Sequence, residues 1–333
     1  MANLTRDFFI YLSQNQFLNE AAKKYGLKLG ASKVVAGTDL PSVTKAIKAL
    51  NAKGMSCTVD HLGEFVYDRQ EAEKAKQEIL KTLEIIDEEQ LDCHVSVKLT
   101  QIGLDIDYDF CFENIKDIVD TAKQKDIFVN IDMEDYAHYN QTLDIVLELA
   151  KQYDNVGTVM QAYLYRAEPD LRLLKDIRMR LVKGAYKEDP SVAIQHKADI
   201  DQNYLKLIKM RLESGVFTSI ATHDHHIINE VKAFVRDHHI SKDNFEFQML
   251  YGFRTELQEQ LVAEGYRFCT YVPFGEDWYG YFMRRLAERP QNLNFVIKDV
   301  TTNPDGTLKK GPVVAAGAIA SLLAYRALKK RKK

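Results

Sequence analysis

Three groups of residues in this 333-residue sequence have the types and spacing to do chemistry. The first is basic. Lys98 closes the apolar run Val95-Ser96-Val97, and Arg180 and Lys183 lie in Arg-Leu-Val-Lys-Gly-Ala-Tyr. A buried ammonium needs a carboxylate partner or an anionic ligand, so Lys98 either pairs with Asp132 or meets a ligand. A Schiff-base role for Lys98 or Lys183 is the third use of such a group. Strand alternation aims Arg180 and Val182 to one face, and a turn at Gly184 must then reorient Lys183. Two cations beside Gly184-Ala185 suit a phosphate or an electron-rich heterocycle. The second group is Thr222-His223-Asp224-His225-His226. Its spacing fails as a metal set, because His225 and His226 open a helix and no HExxH or HxH pair supports them, so no metal is expected. Hydrogen bonding to a bound cofactor is the better use of His223. The third group is Tyr271 with Trp278, Tyr281, Arg284 and Arg285. Tyr281 and Arg285 stand i, i+4 on one helix face. Two guanidiniums beside aromatic rings bind a small carboxylate with an apolar body, the arginine forks taking the charge.

The elements that must position these groups alternate. β-rich runs at 56–60, 94–98, 127–132, 157–161, 178–183, 217–222, 245–250 and 266–272 are each followed by a helical pattern. Parallel strands need helical crossovers, so this alternation predicts a parallel sheet. Eight units over about 240 residues is the size of a closed (β/α)₈ barrel of the TIM type, and no GxGxxG follows any strand. A doubly wound open sheet is the rival. Helical stretches over 3–25 and 40–52 precede the first strand, giving a division into N-terminal helices (1–54), barrel (55–300) and tail (301–333). Polar residues collect at the strand C-termini, where barrel enzymes carry their chemistry: Asp60-His61, Lys98, Asp132 and Glu134, Gln161, Arg180 and Lys183, Thr222-His223-Asp224, Gln248 and Tyr271.

Composition bounds the rest. At 46% hydrophobic and 28% charged the chain is globular, and four scattered cysteines make neither a disulfide framework nor a zinc ribbon, which fits a reducing interior. No secretory signal is visible, so a cytoplasmic location is expected. From Gly306 onward there are eight basic residues and no acidic one, which leaves residues 1–305 at −11 within a net charge of −3. An acidic body repels nucleic acid. Between two basic clusters, residues 311–325 are uncharged and mostly apolar. As a helix they would span about 22 Å, short of the roughly 30 Å hydrocarbon core, so the tail is expected to touch the inner face of the membrane rather than cross it, or else to pack on the body.

Seven ordered segments resemble the proline dehydrogenase family: Asp-His-Leu-Gly-Glu (60–64), Val-Ser-Val-Lys-Leu (95–99), Asn-Ile-Asp-Met-Glu (130–134), Arg-Leu-Val-Lys-Gly-Ala-Tyr (180–186), Ala-Thr-His-Asp (221–224), Phe-Glu-Phe-Gln-Met-Leu-Tyr-Gly (245–252), and Tyr-Val-Pro-Phe-Gly (271–275) with the later Tyr-x-x-Arg-Arg-x-x-Glu (281–288). The resemblance implies a barrel with its eighth helix over the strand mouths and FAD across the C-terminal face. It implies cofactor contacts at Asp132, Gln161, Arg180, Val182, Lys183, Gly184, Ala185, Thr222, His223, Asp224, Gln248 and Glu288, with Arg180 beside flavin N5. It places Lys98, Arg284 and Arg285 on the proline carboxylate and Asp132, Leu250, Tyr271 and Tyr281 around the ring. The implied reaction is hydride transfer from C5 of L-proline to FAD, giving Δ1-pyrroline-5-carboxylate, with electrons passing to a quinone-type acceptor. The bulk of Tyr271 should exclude a ring hydroxyl. The length leaves no room for a fused second dehydrogenase. Two other readings stay open on the residues alone: a Schiff-base aldolase, and a carboxylate-binding membrane scaffold without catalysis.

Overall fold

The computed structural model describes residues 31–288. The expected helix over 3–25, the basic tail and the side chain of Glu288 lie outside the described residues. The described chain forms two compact units, a larger one over 39–274 and a smaller one made of 31–38 with 275–288.

The larger unit opens with α1 (Leu40–Asn51), started by Asp39, whose carboxylate accepts the Ser42 N–H, and by a proline in the first turn. Its buried Val43 and Ile47 face β1 and β8. Strand–helix units then follow: β1 (Ser56–His61) and α2 (Arg69–Glu88), β2 (Cys93–Val97) and α3 (Tyr108–Gln124), β3 (Val129–Ile131) and α4 (Tyr139–Ala150), β4 (Val156–Gln161) and α5 (Ala167–Leu173). The second half runs β5 (Met179–Val182) and α6 (Lys197–Ser214), β6 (Thr218–Ala221) and α7 (His225–Asp237), β7 (Phe245–Leu250) and α8 (Thr255–Ala263), and β8 (Phe268–Phe274). The eight strands close into a barrel in sequence order, every neighbouring pair parallel and β1 paired with β8. The open-sheet alternative is thereby excluded.

Three boundaries differ from expectation. Strand β8 starts at Phe268 rather than 266, because the turn that ends α8 runs through Gly265 at φ +77°. Strand β3 is only three residues long. Helix α5, patterned over 168–177 in the sequence, stops at Leu173, and carbonyls of the loop after it are taken by the buried guanidinium of Arg211 on α6. Its Nη1 donates to Lys175 at 2.8 Å and its Nη2 to Ile177 at 2.9 Å.

The wall between strands and helices is apolar, built from residues such as Val95, Val97, Ile131, Met160, Leu181, Ile220, Phe247 and Val272. The alternate residues face the lumen and are largely polar. Thr58, Asp60, Ser96, Arg180, Glu246 and Gln248 are all buried there. A barrel interior is ordinarily filled by branched apolar side chains, so this reversal marks the lumen as a place where chemistry has displaced packing.

The smaller unit contains α9 (Trp278–Glu288). Trp278, Tyr279, Tyr281 and Phe282 are buried, so this is not a solvated outer helix. Gly275 donates its N–H to the Gly37 carbonyl at 3.1 Å, joining the two segments of this unit.

Candidate active site

Arg180 sets the geometry. Its strand, β5, pairs only with β4 and β6. Yet its Nη1 donates to Asp132 Oδ1 at 2.8 Å after β3, its Nη2 to Ser96 Oγ at 2.9 Å on β2 and to Thr58 Oγ1 at 3.3 Å on β1, and its Nε to Gln248 Oε1 at 2.7 Å on β7. Such contacts are possible only if the side chain crosses the lumen. The Tyr271 ring lies 5.2 Å from its guanidinium carbon.

Above it, four groups meet. Lys98 Nζ lies 2.9 Å from Asp60 Oδ2, 3.2 Å from Asp132 Oδ2 and 3.2 Å from the Tyr271 hydroxyl. That hydroxyl stands 2.7 Å from Asp60 Oδ2 and 3.0 Å from Asp132 Oδ2, its single proton shared between two carboxylates. Burial works against the Lys98 ammonium, but Asp60, Tyr271 and Asp132 outweigh it and raise its pKa well above the ordinary value. Burial likewise opposes the Asp132 charge, yet Lys98 and Arg180 hold that carboxyl below the usual range. Burial pushes the Tyr271 phenol up, aided by Asp132 and Asp60. The cluster therefore sets an ionised Asp132 carboxylate and an ammonium beside a neutral phenol. The pairing of Lys98 with Asp132, one of the uses foreseen for this lysine, is present. Asp60 Oδ1 is buried and has no hydrogen-bond partner.

Around this centre the strand ends supply further polar groups. Gln161 donates Nε2 to the carbonyls of Glu134 (3.0 Å) and Met133 (3.3 Å), leaving a buried Oε1 without a partner. The turn after β5 forms as the strand alternation requires: Gly184 takes φ +114°, and a Cβ there would lie 2.2 Å from the Tyr163 ring. Lys183 swings to Asp201 (2.5 Å) and Asp224 (3.0 Å). Ala185 is exposed, and Val182 is half-buried with its carbonyl accepting the Ala162 N–H at 2.8 Å. Asp224 also caps α7 by accepting the His226 N–H at 3.0 Å, while Thr222 Oγ1 accepts the Asp224 N–H. His223 Nε2 accepts the Leu250 N–H at 3.1 Å, which places the ring proton on Nδ1. Leu250 itself is half-buried. Among the described residues no three histidines, cysteines or carboxylates gather as a metal set. In the smaller unit, the Arg285 guanidinium lies 5.2 Å from the Tyr281 ring centre, the i, i+4 pairing expected on α9, and Arg284 precedes it on the same helix.

A profile of the proline dehydrogenase family matches residues 43–298. The chain belongs to this family. It is 48% identical over 300 residues to proline dehydrogenase 2 of Bacillus subtilis (strain 168), covering 90% of this chain and 99% of that protein. It is 42% identical over 275 residues to proline dehydrogenase of Deinococcus radiodurans, covering 80% and 89%. Among solved structures, proline utilization A from Bdellovibrio bacteriovorus inactivated by N-propargylglycine superimposes with a TM-score of 0.75 at 24% identity, covering 86% of this chain but 36% of that one, and shares the fold. As a member of the proline dehydrogenase family this chain is an oxidoreductase acting on proline, at the first step of proline catabolism.

For this proline dehydrogenase chain, the barrel brings Lys98, Asp132, Arg180, Gln248 and Tyr271 into one bonded network. Leu250, His223, Thr222, Asp224, Lys183 and Gly184 line neighbouring strand ends. Reasoning from sequence passed over Asp60 as the partner of Lys98, Thr58 and Ser96 as supports of Arg180, and Asp201 as the partner of Lys183. The signal for the first three was present: Thr58-x-Asp60 and Ser96-x-Lys98 are period-2 polar pairs, each sharing one strand face.

Proposed function

We propose that this chain oxidises L-proline to Δ1-pyrroline-5-carboxylate with FAD held across the C-terminal mouth of the barrel, and that electrons then pass to a quinone-type acceptor. The observation that carries the reading is the lumen network in which Arg180 and Lys98 converge on Asp132, inside the segment matched by the proline dehydrogenase family.

The residues suit a flavin. An unpartnered, buried carbonyl oxygen on Gln161 fits a ring N–H. Arg180, Val182, Lys183, Gly184, Ala185, Thr222, His223, Asp224, Gln248, Asp132 and Glu288 are the residues we assign to it. When bound, the flavin supplies the hydride acceptor. Arg180, fixed by partners on three strands and by Asp132 just after a fourth, offers a positive charge that need not reorganise during the reaction. Lys98, Arg284 and Arg285 are the residues we assign to the proline carboxylate, on the resemblance of their segments to the family. Asp132, Leu250, Tyr271 and Tyr281 are the residues we assign to the ring, and the Tyr271 hydroxyl, tethered to Asp60 and Asp132, keeps its phenyl from swinging aside. Holding the carboxylate presents C5 to the acceptor, a positioning effect.

We further read residues 1–54, 55–300 and 301–333 as N-terminal helices, catalytic barrel and basic tail, and the protein as cytoplasmic with its tail on the inner membrane face. Among the described residues no helix is long and apolar enough to cross a membrane.

The test is the visible spectrum of the purified protein under anaerobic conditions, before and after proline. A flavin band that bleaches on addition is expected. A colourless protein, or a band indifferent to proline, overturns the reading, and borohydride trapping of a lysine adduct would instead favour an aldolase.

A further inference from the structure

Glu246 faces the lumen from β7, two residues before Gln248, and is 3% exposed. It lies outside the set of residues assigned above to cofactor or substrate. Its Oε1 accepts the Ser219 hydroxyl at 2.7 Å and the Gln248 Nε2 at 2.7 Å, with Arg178 Nη2 at 3.6 Å. Because the carboxylate holds the amide nitrogen, the amide oxygen of Gln248 is turned to Arg180 Nε. A flipped amide would set N–H against the guanidinium N–H at one end and carbonyl against carboxylate at the other, repulsive at both. Arg178 pairs with this carboxylate only at ion-pair distance, longer than a hydrogen bond. Among the described residues Glu246 is, by contrast, the acceptor of the Gln248 amide nitrogen.

We propose that Glu246 is a positioning residue for the reaction: it fixes the amide of Gln248 and through it aims the Arg180 guanidinium at the bound flavin. The proposal rests on the placement of Arg180 beside the flavin given above. Glu246→Asp keeps the charge but shortens the side chain by one methylene, so it loses its reach to Gln248. Glu246→Gln keeps the reach and an acceptor oxygen but loses the charge.

The experiment titrates wild-type and both variant holoenzymes anaerobically against a reference dye, reading the flavin reduction equilibrium, with thermal melting as a control. Glu246→Asp is expected to shift that equilibrium against reduced flavin by roughly three- to tenfold, the weight of one hydrogen bond to a charged group. Glu246→Gln is expected to stay within about twofold of wild type. A Glu246→Asp holoenzyme that differs from wild type in melting alone, or a shift carried by Glu246→Gln instead, overturns the proposal. Should neither variant retain flavin, the wild-type protein labelled with 15N-glutamine decides: a Gln248 side-chain amide protected from solvent exchange supports the proposal, and a freely exchanging one overturns it. A wild-type flavin that proline does not bleach sinks the proposed function, whereas normal bleaching with silent variants sinks this inference alone.

Discussion

Glu134 shows how a single buried carboxyl couples the site to pH. It is wholly buried at the end of β3, its Oε1 accepting the Thr100 N–H at 3.1 Å and its Oε2 the Thr100 hydroxyl at 2.5 Å. Burial raises its pKa to about 7, against the opposing hydrogen bonds of Thr100 and the charge of Lys98. A carboxyl raised above its unfolded value binds more protons folded than unfolded, so its contribution to stability is greatest below pH 4.5 and declines as pH climbs to about 7. Denaturant unfolding of Glu134→Gln across pH 5 to 7 should therefore show a flatter profile than wild type, and parallel profiles would refute the linkage. Thr100 also accepts the Phe65 N–H at 3.0 Å, so the same carboxyl steadies the turn after β2 and, through it, the loop after β1. At this scale the sequence was readable where residue type alone carried the argument. Lys98 after three small or apolar residues had to find a carboxylate or an anionic ligand, and it found Asp60 and Asp132. The sequence was opaque where the answer depended on which side chains meet across the lumen, as with Arg180 on β5 reaching Asp132 after β3 and Gln248 on β7.

Strands and helices were legible because their periodicities are local. Strand β7 matches the expected 245–250 run residue for residue, and α6 ends at Ser214 before Gly215 in the left-handed conformation at φ +74°, a stop visible in the sequence. The α5 boundary was not, since the loop that follows it is held by Arg211 some 35 residues later in the chain. That arginine is fully buried, and burial lowers its pKa to about 10, so it remains charged at neutral pH. Besides the two carbonyls already described it reaches Thr218 Oγ1 on β6 at 3.3 Å, tying the loop before β5 to the strand after α6. Arg211→Met should leave those carbonyls buried without donors and lower unfolding free energy by about 3 kcal/mol, measured as a fall in the urea midpoint. Arg211→Lys, which has the charge without the fork, should recover only part of the loss. Equal stability of all three proteins would show that solvent, not the guanidinium, satisfies the loop.

At the scale of the whole molecule, barrel closure follows from eight strands joined by seven crossovers whose lengths were evident, whereas its charged lumen was not, because a polar residue at each strand end reads the same whether it faces solvent or its counterparts. The same scale frames the last question of charge. Residues 1–305 carry −11, and residues 306–333, beyond the family match at 43–298, carry eight basic groups and no acidic one. An anionic surface repels the first part and attracts the second, at roughly 1 kcal/mol for each basic residue close to the headgroups. The sum favours attachment only while the cations are near the surface and the acidic body is screened beyond a Debye length of about 10 Å. The full chain should thus co-sediment with vesicles rich in phosphatidylserine at about 0.1 M salt, release substantially at about 1 M, and ignore zwitterionic vesicles. A chain ending at Asp305 should bind neither. Equal sedimentation of the two chains would remove the tail from any account of how electrons reach a membrane acceptor, while leaving the barrel chemistry untouched.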